Sequence, residues 1–85
     1  MNENEPCKSI TMNGLIIPTQ WDKHGNVKGI AIAGFDEKNY YILMDKVGKN
    51  LLALLHKEVE VSGDFTKIDN SDTIQVKKYQ LRKRQ

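Results

Sequence analysis

The residues of this chain that could recognise a ligand are aromatic and basic, and they fall in two turn regions and at the C-terminal end. Aromatic rings stack on bases and basic side chains hold phosphates, so the combination is typical of a surface that binds single-stranded DNA or RNA. The candidates for such a nucleic-acid-binding face are Trp21, Lys23, Lys28, Lys38, Tyr40, Tyr41, Lys77, Lys78, Arg82, Lys83 and Arg84.

Acidic neighbours and packing offer competing interpretations of these residues. The acidic side chains in the same region, which would repel phosphates, are Asp22, Asp36, Glu37 and Asp45. Trp21 can pack over the edge of the fold or serve as a platform for a base. Alternation along a strand should bury one of Tyr40 and Tyr41, and Phe35 can either stack on a base or belong to the core. The basic C-terminal end can be a solvated tail or a phosphate clamp.

No catalytic or metal-binding pattern is visible. His24 lies in a predicted turn and His56 at the end of a predicted helix, and neither stands in a nucleophile, P-loop or metalloprotease motif. One cysteine and two histidines, separated in the sequence, are too few for a typical zinc site. We therefore expect a protein that is not an enzyme and that carries no metal or cofactor.

Composition indicates one ordinary globular domain. The chain has 85 residues, 39% of them hydrophobic and 28% charged, and a net charge of +2. The charge is uneven, because the last nine residues, KKYQLRKRQ, carry five positive charges and no negative one. The single Cys7 cannot form an internal disulfide, and neither a signal peptide nor a membrane-spanning run is recognisable. These features favour a cytoplasmic protein with no membrane contact.

The first half of the chain predicts three antiparallel strands. Apolar and β-branched residues predict strands over 9–18, 27–35 and 40–45, separated by turns rich in Gly, Asp and Asn. Gly14 inside the first strand predicts a bulge or a sharp bend, and Pro18 predicts the end of regular pairing or an edge.

The second half predicts a helix followed by two strands. Leucines at helical spacing predict a helix over 47–56 with Asp45 as its N-cap. The stretch EVEVSGD predicts a half-buried strand, with Gly63 turning the chain towards the last strand over 73–81. In that last strand Tyr79 and Leu81 fall on the opposite parity to Ile74 and Val76. Either a bulge near Lys77-Lys78 shifts the register, or this end faces something else.

The order β-β-β-α-β-β predicts a mainly β fold, a five-stranded OB-like Greek-key barrel whose helix plugs one end. The stretch GKNLLALLHKEVEVSGDF, followed by TIQVKKYQL, resembles small stand-alone bacterial OB-fold proteins. The resemblance covers roughly residues 9–81 and implies the fold, while the function of many such proteins is unassigned. We divide the chain into a flexible segment over 1–8, one OB-like domain over 9–81 and a basic tail over 82–85.

Three partner classes remain open at this level. The first is single-stranded DNA or RNA on the aromatic and basic face. The second is a protein, including a second copy of the chain, because a partly open barrel leaves strand edges that can pair with another chain. The small residues Gly29, Ala31 and Ala33 would let such a partner come close. A small-molecule ligand is the third possibility, although a barrel of this size is usually filled by its own side chains.

Overall fold

The computed structural model describes residues 8–35 and 38–82, and at residue 8 it describes the backbone alone. The strands are β1 (Lys8–Trp21), β2 (Val27–Gly34), β3 (Asn39–Ile42), β4 (Glu58–Ile68) and β5 (Ser71–Leu81). A single α-helix, α1 (Lys46–Asn50), lies between β3 and β4 and continues into a 3₁₀ turn (Leu51–Leu54). The predicted mainly β fold class and the predicted order of elements are therefore confirmed.

The five strands form a closed barrel in the order β1-β2-β3-β5-β4. All neighbouring pairs are antiparallel except β3 and β5, which run parallel and complete the circle. A small five-stranded barrel of this order, with one short helix between β3 and β4, is compatible with an OB-like fold.

The first strand is shared between two neighbours. β1 pairs with β4 from Lys8 to Leu15 and with β2 from Gly14 to Trp21, so both ladders overlap at Gly14. A Cβ atom at Gly14 would lie 2.8 Å from the carbonyl carbon of Ala33, and closer still to its oxygen. The ladders keep their register through this position. Gly14 is thus required for close approach of the strands, and the predicted bulge is not found there.

Pro18 marks the end of regular pairing and an edge, as predicted, although the strand itself continues beyond its predicted end. Pro18 pairs with Ile30, and β1 continues to Trp21 with register shifts on either side of Gln20. β4 pairs with β1 only as far as Leu15, so the missing N–H of Pro18 lies outside that ladder. A proline can therefore occupy this half of the strand.

The core lies between the strands and the turn that follows α1. Alternate strand positions and Leu51 are buried, and the residues that form the core are Ile16, Ile30, Ile32, Ile42, Leu51, Val59, Val61, Ile74 and Val76. Leu52, Leu54 and Leu55 pack against it. The leucine-rich segment therefore completes the core, as the sequence predicts.

The helix is shorter than its sequence pattern predicts. Its α-helical part ends at Asn50, and the following 3₁₀ turn ends at Leu54. The chain then pairs with β1, because the N–H of His56 donates to the Ile16 carbonyl and the N–H of Ile16 donates to the Lys57 carbonyl. His56 has a left-handed backbone conformation, with φ at 65°, where the chain leaves the 3₁₀ turn. Pairing with β1 thus ends the helix before its predicted last turn.

The predicted N-cap is confirmed. The Asp45 carboxylate accepts a hydrogen bond from the Gly48 backbone N–H at 2.9 Å and a second one from the Gln75 side chain at 3.2 Å. The Gly48 N–H is the main reason that the pKa of Asp45 lies below its ordinary value. One carboxylate therefore caps the helix and joins it to β5.

The turn between β4 and β5 does not lie at the predicted residue. β4 runs through Gly63 to Ile68. The chain then turns at Asp69 and Asn70, which form a two-residue hairpin loop with positive φ angles of 53° and 66°. Gly63 is therefore not the turn residue; it lies buried in the strand, where a Cβ would meet the backbone of Gln75.

The predicted register shift in β5 is confirmed. Ser62 pairs with Lys78 while Gly63 pairs with Val76, so Lys77 is the extra residue of a bulge. This bulge places Tyr79 opposite Val61 and Leu81 opposite Val59. Both side chains therefore lie on the sheet face that carries the core, which explains their parity in the sequence.

Replacing Gly14 with alanine should destabilise the barrel by about 2 kcal/mol or more, because backbone atoms of β2 cannot move aside without breaking the ladder. Gly29→Ala is the matched control, since the new methyl group would meet flexible side-chain atoms of Thr19 and Gln20 at 3.1 Å. Urea unfolding of both variants measures the difference. Equal losses of stability would contradict a special constraint at Gly14.

Replacing Asp45 with alanine should lower the free energy of unfolding by about 1 kcal/mol at neutral pH, because the helix loses its cap. Asp45→Asn keeps a capping oxygen and should cost less. The folded pKa of Asp45 is depressed, so its charge stabilises the fold above the unfolded pKa of about 3.9, and that contribution is lost as pH falls through the folded pKa. Thermal unfolding between pH 7 and about pH 3 should show the gap between wild type and Asp45→Asn closing. A constant gap would contradict the role of the charge.

Candidate functional site

The first loop is held in one conformation by Asp22. Its carboxylate accepts hydrogen bonds from the backbone N–H groups of His24 and Asn26, at 2.8 and 2.9 Å. Gly25 supplies the positive φ of 86° that the turn requires. The Asn26 N–H is the main cause of the lowered pKa of Asp22, and the charge of Lys28 acts in the same direction. The loop is therefore an ordered support for the residues on either side of it.

This loop brings together the sequence candidates Trp21, Lys23 and Lys28. Trp21 ends β1 and pairs with Val27 at the start of β2, so the loop joins adjacent strand ends. The indole is 54% exposed, and both lysines are exposed. About half of the Trp21 surface is thus covered by the protein and half is accessible to a ligand.

A cleft of about 370 Å³ lies close to this loop. Three parts of the chain that are distant in sequence form its walls: the end of β1 with Thr19 and Gln20, the β3 segment, and the β4–β5 turn. Tyr41, Met44, Ile68 and Thr73 contribute to the lining. Tyr41 is 48% exposed, and Ile68 is also exposed. The cleft thus combines an accessible aromatic ring with apolar side chains, next to the residue that precedes Trp21.

The two tyrosines have different environments. Tyr40 packs against Phe65 in an edge-to-face contact with ring centroids 5.8 Å apart, and it lies against the core. Tyr41 points to the accessible side, opposite Ala31 and Thr73 in the ladders. Alternation therefore makes Tyr40 half-buried, short of the full burial predicted for one tyrosine, and leaves Tyr41 accessible.

Phe35 is not part of the core, because 66% of its surface is exposed. It follows the last residue of β2, whereas Trp21 pairs with the first. Phe35 is therefore eight positions beyond the residue that pairs with Trp21, roughly 26 Å along the strand. Phe35 therefore belongs to a different end of the barrel from Trp21.

The remaining basic candidates are not brought to this cleft. Lys38 lies near the Phe35 end, where its carbonyl accepts from the Gly34 N–H. Lys77 is 3.9 Å from Asp64, and Lys78 lies beside Glu60 and Ser62 on the outer side of β4 and β5. The backbone of Arg82 pairs with Glu58. Lys83 and Arg84, like Asp36 and Glu37, lie outside the described residues.

The charge around the cleft is mixed. Asp69 lines the cleft. Next to the β4–β5 turn, the Lys67 ammonium group lies 3.5 Å from the Asp72 carboxylate, and both side chains are exposed. Asp22 stays ionised in the first loop, beside Lys23 and Lys28. A ligand at this cleft would gain more from stacking and apolar contact than from a concentrated positive field.

Sequence patterns missed most of the lining of this cleft. Ile68 and Thr73 flank the hairpin turn, and the pair Asp69-Asn70 carries the one signal that could have located it, because both residue types tolerate positive φ. No periodicity indicates that this turn lies beside β3. The parallel pairing of β3 with β5 produces that proximity.

The small-residue stripe of β2 is covered within the chain itself. Gly29 is buried next to Thr19 and Gln20, and Ala31 is 2% exposed. The close approach that these residues were predicted to allow is therefore made by neighbouring strands of the same barrel.

Comparisons with protein-family models, with curated proteins and with solved structures found no significant match to this chain. In residues 8–35 and 38–82, no helix is long and apolar enough to cross a membrane. Across the same residues, no three His, Cys, Asp or Glu side chains form a group that could hold a metal ion.

The two neighbouring tyrosines should respond differently to truncation. Tyr40→Ala should lower the free energy of unfolding by about 2 kcal/mol, because the ring contacts Phe65 and the core. Tyr41→Ala should change it by less than about 1 kcal/mol, since half of that ring is in solvent. Urea unfolding of the two variants tests the assignment, and a larger loss for Tyr41→Ala would reverse it.

Proposed function

We propose that this protein is a non-enzymatic binding module that holds a short stretch of single-stranded nucleic acid across the first loop and the neighbouring cleft. The observation that carries the proposal is a pair of accessible aromatic rings. Trp21 lies at the ordered first loop, and Tyr41 lies in the cleft, whose lining includes Gln20, the residue before Trp21. Accessible rings on a rigid barrel are the platforms on which single-stranded bases stack.

In this proposal each residue has a distinct task. Trp21 and Tyr41 stack on bases, and Ile68 supplies an apolar wall for them. Lys23 and Lys28 contact phosphates from the loop side, while Asp22 fixes the loop that carries them. The lysines and arginine of β5 and its end are left out, because those that the structure describes lie on another side of the barrel.

The charge pattern favours weak binding that depends modestly on salt. Each stacked base contributes about 1–3 kcal/mol, whereas two phosphate contacts on a single strand give a slope of about −1.4 for log K against log salt. Asp69 at the cleft would oppose a phosphate placed there. We therefore expect phosphates on the loop side and bases over the cleft.

The test is a fluorescence-anisotropy titration with short labelled single-stranded DNA and RNA at several salt concentrations. Trp21→Ala and Tyr41→Ala should each weaken binding about tenfold or more while the fold is retained. Phe35→Ala is the matched control, an equally accessible aromatic residue at the other end of β2. Lys23→Gln should make the salt slope shallower by about 0.7, and Lys78→Gln should leave it unchanged.

Two results would overturn the proposal. One is the absence of saturable binding at high micromolar protein. The other is equal weakening by Phe35→Ala and Trp21→Ala, which would indicate non-specific adsorption. A truncated variant that ends at Leu81 tests the basic tail separately. If this variant binds as the full chain does, residues 82–85 make no phosphate contact.

The alternative function is a protein-interaction module. Its support comes from the edge of β1, because Gly29 and Ala31 of the small-residue stripe are already buried within the chain. It remains compatible with the nucleic-acid proposal, since the two surfaces lie on different parts of the barrel.

A further inference from the structure

The N-terminal half of β1 is paired along one edge. β4 pairs with it from Lys8 to Leu15, whereas pairing with β2 starts at Gly14, opposite Gly34. Over residues 8–13, no strand in the described part of the chain pairs with the other edge. The backbone groups along such an edge are a template for an additional strand.

Beyond Lys8, the free edge has none of the features that usually prevent strand addition. Residues 9–13, the stretch SITMN, contain neither a charged residue nor a proline. A cleft of about 470 Å³ runs along the edge, lined in part by Ile10, Met12, Phe35 and Tyr40. Phe35 stands there with 66% of its surface exposed. An incoming strand would therefore gain main-chain hydrogen bonds and cover an exposed aromatic ring.

A second observation points to a missing partner at the same place. The Oδ1 atom of Asn13, which lines this cleft, is buried and has no hydrogen-bond donor. A buried acceptor without a donor is costly, so an added strand that supplies a donor at this position would remove an energetic penalty.

We propose that the occupant of this edge is a second copy of the chain, paired antiparallel through residues 9–13 of β1 in a symmetric dimer. Gly14 ends the free edge because it already pairs with Gly34, so the two-fold axis lies at Thr11, the centre of the uncharged stretch. Such a contact is isologous and closes at two copies.

This register is self-complementary in chemistry. Ile10 stands opposite Met12 of the partner subunit, so apolar residues face each other on the inner side. On the outer side Asn13 stands opposite the partner's Ser9. The Ser9 hydroxyl makes only a long contact, 3.5 Å, with Asp64 in the single chain. In the dimer it can donate to the unpartnered Asn13 oxygen, which gives that atom a donor of the right type.

The dimer should be weak, because five residues from each copy bury less surface than the about 1,200 Å² at the lower end of stable interfaces. We therefore expect association in the range from tens to hundreds of micromolar and fast exchange with the monomer. Sedimentation equilibrium of the full chain, from low micromolar to millimolar concentration, should show a monomer–dimer equilibrium without larger species.

A charge exchange at the two-fold axis tests the register. Thr11 is exposed, so T11K and T11E should fold normally, and urea unfolding verifies this. Each variant alone should be monomeric, because identical charges would meet at the axis. An equimolar mixture should recover dimer, because opposite charges then face each other. The mixture protects the test against a folding defect.

A further variant tests the proposed hydrogen bond. Ser9→Ala should weaken dimerisation about fivefold per hydrogen bond while leaving the monomer stable. The proposal is overturned if the wild-type chain is monomeric throughout, if T11K dimerises as well as the wild type, or if the mixture stays monomeric. Capture of an extended peptide by a chain that never dimerises would also overturn the second copy as occupant.

This inference is independent of nucleic-acid binding. Thr11 and Thr19 are eight residues apart on β1, about 26 Å along the strand. The monomeric T11K variant should therefore keep the affinity of the wild-type monomer for single-stranded nucleic acid. Dimerisation of the wild-type chain without saturable nucleic-acid binding would overturn only the proposed function. Nucleic-acid binding by a wild-type chain that stays monomeric would overturn only the dimer.

Discussion

The architecture depends on one constraint, the close approach of β1 to two strands at Gly14. At that residue β1 pairs with Gly34 of β2 on one edge and with Val59 of β4 on the other. The meander of β1, β2 and β3 meets the hairpin of β4 and β5 along the β1–β4 ladder, which overlaps the β1–β2 ladder at Gly14 and Leu15. Because backbone atoms of Ala33 fill the space where a side chain would stand, closure of the barrel depends on the absence of a Cβ atom.

The same division of β1 separates two surfaces of different character. Its C-terminal half leads to Trp21 and the mixed-charge cleft beside β3, where exposed rings are available for stacking. Its N-terminal half presents a strand edge that is uncharged over residues 9–13 and a buried acceptor without a donor. A single long strand can therefore support a ligand surface at one end and an association surface at the other, with little physical overlap between them.

Local patterns predicted much of the fold and little of the site. Alternation identified the inward positions Val59 and Val61, the broken parity of Tyr79 indicated the bulge at Lys77, and Asp45 was recognisable as a cap. The extension of β1 beyond Pro18 to Trp21 and the early end of the helix were missed, because both depend on which strand lies alongside. The site candidates were found by residue type, but their grouping was not, since only tertiary pairing brings Gln20, Tyr41 and Ile68 to one cleft.

The parallel contact between β3 and β5 has a consequence for how the barrel moves. It is very short, with Tyr41 opposite Thr73 and Ile42 opposite Ile74, extended by the hydrogen bond from the Leu43 N–H to the Ile74 carbonyl. Segments held by few hydrogen bonds open at lower free energy than the global unfolding transition. Amide protons along this seam should therefore exchange with solvent faster than those between β4 and β5. Because Tyr41 and Thr73 of this seam also line the cleft, opening of the seam would change the width of the cleft.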